Sequence, residues 1–287
     1  YHPSIAFAIN CIILISNAAS LSGVALIGAG YITKLFPEYA WTDIHKALIS
    51  CIAIGVFYFI NLKGLKMSSA TQNVLMLIKI AMVVIIIGAL FFPEKHAVPV
   101  EAIVDSAGPQ ISWIQSLGLS LIAVSFTYGG YQQTINFGKE VDQPQKNIPK
   151  GIFIGIGIII TLYLLANLSY YYVVGFEQMK GEREIAYVVI ERIMGTQAAD
   201  IFSFFLFFGV LAYVNALLLS NPRVMYAMSE EGALPKIFSK SDPKNQVLVV
   251  SLTVFAAVCI VILFFAQTFE KILNFTIFLD CFGMIAS

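Results

Sequence analysis

Charge is what this sequence has least of. Asp, Glu, Lys and Arg make up 12% of its 287 residues, about half the share of an ordinary globular protein. An excess of basic residues is also missing. Lys plus Arg number 17 and Asp plus Glu number 17, so no electrostatic footprint for nucleic acid is present. Cysteine is scarce: Cys11, Cys51, Cys259 and Cys281 all fall inside apolar runs. Their spacing suits neither a zinc site nor a disulfide framework, and they read as small buried hydrophobes. The three histidines, His2, His45 and His96, form no cluster, and HExxH, GxSxG and P-loop motifs are lacking. Enzymatic chemistry and a bound metal or cofactor are therefore not expected.

What the chain has in abundance is apolar surface. Apolar residues reach 59% and the mean hydropathy is +0.83. A soluble fold of this composition would expose large greasy patches, and a disordered chain carries far less apolar surface. The chain is expected to be an integral, multi-pass membrane protein with the lipid bilayer as its surroundings. A helix needs ~20 mostly apolar residues to span. Eight segments qualify, at about 4–33, 44–61, 71–92, 112–136, 151–174, 201–228, 247–266 and 270–287. Alternating strand patterns are lacking and the runs are too long for a barrel. The expected fold is all-α: a polytopic membrane helical bundle forming one transmembrane domain over 1–287. Because the chain enters one apolar run at Tyr1 and stops inside another at Ser287, it reads as part of a longer polytopic protein.

Orientation follows from where Lys and Arg fall. The second, fourth and sixth connections hold nine basic residues: Lys63, Lys66, Lys139, Lys146, Lys150, Arg223, Lys236, Lys240 and Lys244. Five acids accompany them: Glu140, Asp142, Glu230, Glu231 and Asp242. The first, third and fifth connections hold six basic residues against ten acids. The even connections are thus expected to be cytoplasmic. The fifth, 175–200, contains the apolar stretch IAYVVIERIM at 185–194, too short to span. It fits an outer lid, and equally a helical loop packed on the bundle.

Chemistry concentrates in the fourth segment, which ends VSFTYGGYQQTINFG, from Val124 to Gly138. Adjacent Gly129 and Gly130 weaken a helix by about 1 kcal/mol each relative to Ala. Thr127, Tyr128, Tyr131, Gln132 and Gln133 flank them, and such polar company would be wasted on lipid. A break here would free backbone N–H and C=O groups at membrane depth, where they can hold an ionic ligand. Close packing of helices through small residues is the other reading.

The stretch SFTYGGYQQTINFGKEVDQPQKNIPKGI, residues 125–152, resembles the sixth helix and following loop of amino acid–polyamine–organocation (APC) transporters. PRVMYAMSEEGALP at 222–235, VALIGAGYITKLFP at 24–37 and INLKGLKMSSATQNVLMLIK at 60–79 resemble, respectively, the loop after helix eight, the end of helix three and the link between helices four and five. The resemblance implies a LeuT-type inverted repeat of five plus five helices, represented here by helices three to ten, and secondary transport of amino acids by alternating access. It implies a substrate cradle at Ser125, Phe126, Thr127, Tyr128, Gly129, Gly130, Tyr131 and Gln132, with Phe126 as aromatic gate, and inner-gate ion pairs at Glu140 and Arg223. Proton-coupled symport or exchange is the expected mode, without a cofactor, in a plasma or inner membrane. A sodium-coupled carrier of the same fold, a channel, and an amino-acid sensor or light subunit without flux are the alternatives.

Two ionisable residues lie inside apolar segments. Lys79 is eight residues beyond Thr71, roughly 12 Å along a helix. Asp280 is ten residues beyond Glu270, roughly 15 Å in. Either would cost ~2.5–3.5 kcal/mol facing lipid, so both are expected to face the bundle interior or a cavity. By resemblance, Lys79 matches a helix-five lysine whose ammonium takes the place of sodium and supports proton coupling. A structural ammonium capping carbonyls is the plainer alternative. Asp280 could pair with a cation, line the path, or hydrogen-bond in protonated form. Asn10, Ser16, Asn17, Ser20 and Asn215 are expected mainly to bond between helices, and Gly151 and Gly155 to pack against a neighbour.

Overall fold

A computed structural model describes residues 3–36, 38–92, 112–128, 141–179, 184–242 and 245–266, with residues 272, 274–276 and 278–279. Its described residues form helices: α1 Pro3–Lys34, α2 Asp43–Leu62, α3 Leu65–Gly88, α4 Trp113–Tyr128, α5 Pro144–Val174, α6 Phe176–Met179, α7 Ile185–Met194, α8 Thr196–Glu230 and α9 Val249–Ala266. Two short 3₁₀ turns, Ala89–Phe91 and Lys236–Ser239, extend α3 and precede α9. Five helices (α1, α2, α3, α5 and α8) are long and apolar enough to cross a membrane, and Val249–Phe265 is a shorter apolar helix. The protein is an integral membrane helical bundle.

Local chemistry sets the helix ends. At the start of α2, His45 Nδ1 accepts the Thr42 backbone N–H at 3.2 Å and lies 2.8 Å from its hydroxyl, closing a capping box. The α2–α3 turn is tight because Gly64 takes φ 115°, and a Cβ there would lie 3.3 Å from the Asn245 carbonyl oxygen. Pro144 opens α5 at a position that needs no N–H. Several helices run beyond their apolar stretches. Leu65 rather than residue 71 opens α3, α5 starts seven residues before 151, and α8 covers 35 residues. At 1.5 Å per residue, α8 is about 52 Å long, well beyond a hydrocarbon core of roughly 30 Å.

The core is built on α1 and α8. Ala18, Ala19 and Ala25 of α1 are buried with Leu211, Ala212, Val214, Leu217 and Leu218 of α8, and Ile54, Phe57, Phe255 and Cys259 close the cluster from α2 and α9. Small residues let these backbones approach; a Cβ on Gly28 would meet Phe207 and Val210 at 3.5 Å. A second cluster joins Met82, Ile86, Ala166, Ala186, Ile190, Ala199 and Phe202, seating α7 across α3, α5 and α8. In contrast, Gly151 and Gly155 of α5 have no atom within 4 Å of an added Cβ among the described residues. The expected GxxxG packing has no partner among the described residues.

The ends of the bundle sort as the charge count requires. Gly64, in the second connection, packs on Asn245, in the sixth. At the opposite end Lys34, closing α1, pairs with Glu184, just before α7, so the first and fifth connections meet. The third joins them: Ala89, Val174 and Val189 form one buried cluster, and the Ser169 hydroxyl donates to the Ile86 carbonyl at 2.6 Å. Basic-rich and acidic-rich connections therefore occupy opposite ends.

Candidate functional site

Ser125, Phe126, Thr127 and Tyr128 form the last turn of α4. The expected helix break at Gly129 and Gly130, with Tyr131 and Gln132, lies outside the described residues, as do Glu140 and Asp280. Lys79, Arg223 and the polar residues of α1 and α8 can be followed in detail.

On α3, alternating steps of four and three align Ser68, Gln72, Leu75, Lys79, Met82 and Ile86, the spacing of a seam packed against another helix. The partner is α8. A Cβ on Gly209 would lie 3.8 Å from the Cα and Cβ of Lys79 and 3.7 Å from Met82 Sδ. The root of Lys79 is thus pressed into the α3–α8 seam, while its side chain remains exposed beyond it. With α3 starting at Leu65, Lys79 stands 14 residues from the inner end, about 21 Å rather than 12 Å. Snorkelling to that end is beyond a lysine stem.

Nearer the inner end, about two turns along α8 from Gly209, the same seam holds a neutral polar network. Asn61 Nδ2 donates to the Phe57 carbonyl at 2.8 Å and to Asn215 Oδ1 at 2.9 Å. The Ser68 hydroxyl donates to Asn61 Oδ1 at 2.7 Å. Asn215 Nδ2 donates to Gln72 Oε1 at 2.8 Å and to the Ser68 carbonyl at 3.4 Å. Asn61, Ser68 and Asn215 are buried, and these bonds use both N–H donors of each asparagine amide. The network can pin α2, α3 and α8 together. Of these residues the sequence marks Asn215, the α3 seam spacing is the signal for Ser68 and Gln72, and no local signal marks Asn61.

The polar residues of α1 likewise bond between helices. Asn17 donates to Asn221 Oδ1 at 2.8 Å, Ser20 meets the Tyr213 hydroxyl at 2.7 Å, and Ser16 donates to the Thr276 carbonyl at 3.3 Å. Asn10 is the exception. It lines a cavity of about 750 Å³ at the inner end, with Asn61, Leu65, Pro222, Arg223, Tyr226, Glu231 and Gln246 among its walls. That size suits a small ligand. Pro222 lies inside α8 and supplies no N–H to the Leu218 carbonyl. Arg223, half-buried on the cavity wall, donates its guanidinium to the neighbouring Leu219 carbonyl. Arg223 and Asn10 therefore share one cavity, whereas Lys79 lies well up α3 from the cavity residue Leu65.

At the outer end α7 is held from three sides. Lys34 pairs with Glu184 and its ammonium sits 4.7 Å from the centre of the Tyr187 ring. Tyr187 donates its hydroxyl to Asp200 Oδ1 of α8 at 3.3 Å. Burial, the charges of Asp200 and Glu191, and this hydrogen bond raise the Tyr187 phenol above its ordinary range, which keeps it a donor. Arg192 donates to the Val173 and Val174 carbonyls at 2.9 and 3.4 Å, capping the end of α5. The stretch 185–194 forms the helix expected from its sequence, with Ala186, Val189 and Ile190 buried.

Residues 1–286 match the family model described as amino acid permease. The uncharacterized amino acid permease YvbW of Bacillus subtilis (strain 168) is 25% identical over 78% of this chain and 53% of its own length. The large neutral amino acids transporter small subunit 2 of Oryctolagus cuniculus is 24% identical over 81% of this chain and 44% of its own length. The methylthioribose transporter of Bacillus subtilis (strain 168) is 28% identical over 63% of this chain and 38% of its own length. The chain spans about half the length, or less, of these curated relatives. From a buried α1–α8 core, opposite charge at the two ends and a match along nearly its whole length, the chain belongs to the amino acid permease family.

Proposed function

We propose that this chain is the central part of a secondary transporter that carries amino acids across a plasma or inner membrane by alternating access. The family match over residues 1–286 is the observation that carries this reading. The names of the YvbW permease and the large neutral amino acids transporter support amino acids as the substrate class, and the lack of an acid between Ser125 and Gln132 favours neutral ones. In this reading the chain supplies helices three to ten of a five-plus-five inverted repeat, as a single transmembrane domain over 1–287.

The substrate's ammonium and carboxylate are held by backbone groups freed at Gly129 and Gly130, within the cradle Ser125 to Gln132. Phe126 gates it, and Tyr131 and Gln132 tune selectivity. Lys79 stands in for a coupling cation and supports proton-coupled symport or exchange without a cofactor. Its root, clamped against Gly209, gives the ammonium a fixed origin from which to reach. Asp280 is a further intramembrane polar site. Arg223 and Glu140 pair at the inner gate, and α7 serves as the outer lid.

The test is counterflow by the full-length protein in liposomes against a panel of amino acids and polyamines, with and without sodium. Saturable, sodium-independent exchange of neutral amino acids is expected. Gly130→Val should cut the initial rate by at least about tenfold, equivalent to ~1.4 kcal/mol, with membrane insertion unchanged. Amino acid binding without flux would turn the reading into a sensor, and a sodium requirement would remove the role given to Lys79.

A further inference from the structure

The inner end carries a cluster of cations that neither the fold nor the transport reading uses. Lys63 and Lys66 flank the Gly64 turn, which packs on Asn245 of the sixth connection. Lys236 and Lys240 lie in and just after the 3₁₀ turn of that connection. This turn is anchored to α8 by the Ser229 hydroxyl on the Pro235 carbonyl at 2.8 Å, and to α9 by the Ser251 hydroxyl on the Phe238 carbonyl at 2.9 Å. Two connections remote in sequence thus place four lysines at one end of the bundle. All four are exposed, and among the described residues none has an ion-pair partner. Glu230, Glu231 and Asp242 are the acids in this neighbourhood, fewer than the four lysines together with Arg223.

Beside the lysines opens the 750 Å³ inner cavity, walled on one side by Leu65, Val247, Leu248 and Leu252. Leu65 lies between Gly64 and Lys66, and Val247 follows Gln246 two residues after Asn245, so rim and lysines belong to the same two connections. Exposed cations next to a recess with an apolar wall, at the end of a membrane-spanning bundle, match an amphiphile with an anionic head.

We propose that this face is a binding site for an anionic phospholipid. Its phosphate lies among Lys63, Lys66, Lys236 and Lys240, and its glycerol and upper acyl carbons lie against Leu65, Leu248 and Leu252. Juxtamembrane lysines attract acidic headgroups individually, and clustering makes the site selective. The recess is shared with Arg223 of the inner gate, but the four lysines take no part in the transport reading, so lipid retention is tested separately from flux.

The experiment uses the full-length protein taken from vesicles of phosphatidylcholine mixed with phosphatidylglycerol, with retained lipid read by native mass spectrometry. Phosphatidylglycerol should be enriched over phosphatidylcholine. The combined variant Lys63→Gln, Lys66→Gln, Lys236→Gln, Lys240→Gln should lose at least about tenfold of that preference, and the corresponding four Lys→Arg changes should keep it. Lys46→Gln, at the opposite end, should have no effect. If the fourfold variant melts early in phosphatidylcholine, the pairs Lys63→Gln with Lys66→Gln and Lys236→Gln with Lys240→Gln are read instead, each expected to lose about threefold. Equal retention of both lipids, or an unchanged preference in the glutamine variants, overturns the proposal. So does displacement of the lipid by millimolar inorganic phosphate, which would make the site one for a free anion.

Discussion

The two ends of the bundle are held together by different chemistry. At the outer end the contacts are ionic and local to α7: Lys34 on Glu184, Lys34 over Tyr187, Tyr187 on Asp200, Arg192 on the last carbonyls of α5. Toward the inner end α2, α3 and α8 are tied by buried neutral amides, and Lys63, Lys66, Lys236 and Lys240 around them have no ion-pair partner among the described residues. An ion pair with a partner 39% exposed is worth no more than about 1 kcal/mol after solvent screening. A buried amide network has no water to replace its bonds, so breaking it strands several groups at once. The difference separates a clamp that can be released from a joint that stays shut.

The largest expected effect lies at the inner joint. Asn215→Ala removes the bond to Asn61 and those to Gln72 and the Ser68 carbonyl. At roughly 0.6 kcal/mol for each interhelical bond in a membrane, the loss is about 2 kcal/mol. A lower melting temperature of the full-length protein in detergent checks it. No change would mean that water or lipid replaces the network, and the contrast between the ends would collapse.

Next comes the seam above that joint. Ala at Gly209 meets Lys79 and Met82 at ordinary contact distance and should be tolerated, whereas Gly209→Leu must wedge α3 from α8. Overpacking of this kind costs on the order of 1–2 kcal/mol. Thermal melting of the pair of variants reads it. If both behave alike, the seam is loose and Lys79 has no fixed root.

How much of this was legible beforehand depends on the range of the physics involved. The spans were readable because lipid demands long apolar runs, and 185–194 because its apolar face is too short to cross. Helix starts were less so: Lys66 and Ser68 end the apolar run before Leu65, yet the helix continues past the hydrocarbon, where polarity costs nothing. The charge tally placed Lys34 and Glu184 at the same end without saying that they touch. Asn61 and Asn215 are 154 residues apart, and nothing local to either marks the other. The candidate cradle was legible as a glycine pair in polar company, a pattern that says where a helix would open but not what faces it.

A smaller effect is expected at the outer clamp. Lys34→Glu and Glu184→Lys should each destabilise by about 0.5–1 kcal/mol, and the double exchange should restore most of it, since the pair needs opposite charges and not a particular order. Increasing salt should shrink the difference. Single variants that open the outer end without such recovery would point to packing of α7, through Val189 and Ile190, as the true fastening.

The smallest change separates the two faces of one residue. Tyr187→Phe deletes the hydroxyl that bonds Asp200 at 3.3 Å but keeps the ring beneath the Lys34 ammonium. A long hydrogen bond at a partly exposed carboxylate is worth about 0.5 kcal/mol or less, so this variant should melt within error of the parent. Tyr187→Leu also removes the aromatic face, and a cation–π contact near the surface contributes about 0.5–1 kcal/mol. The leucine variant should therefore lose more than the phenylalanine variant, and only when Lys34 is present. Measured in the Lys34→Ala background, the two should converge. If they do not, the ring acts by filling space under α7, and the outer end is held by packing in the same way as the core of α1 and α8.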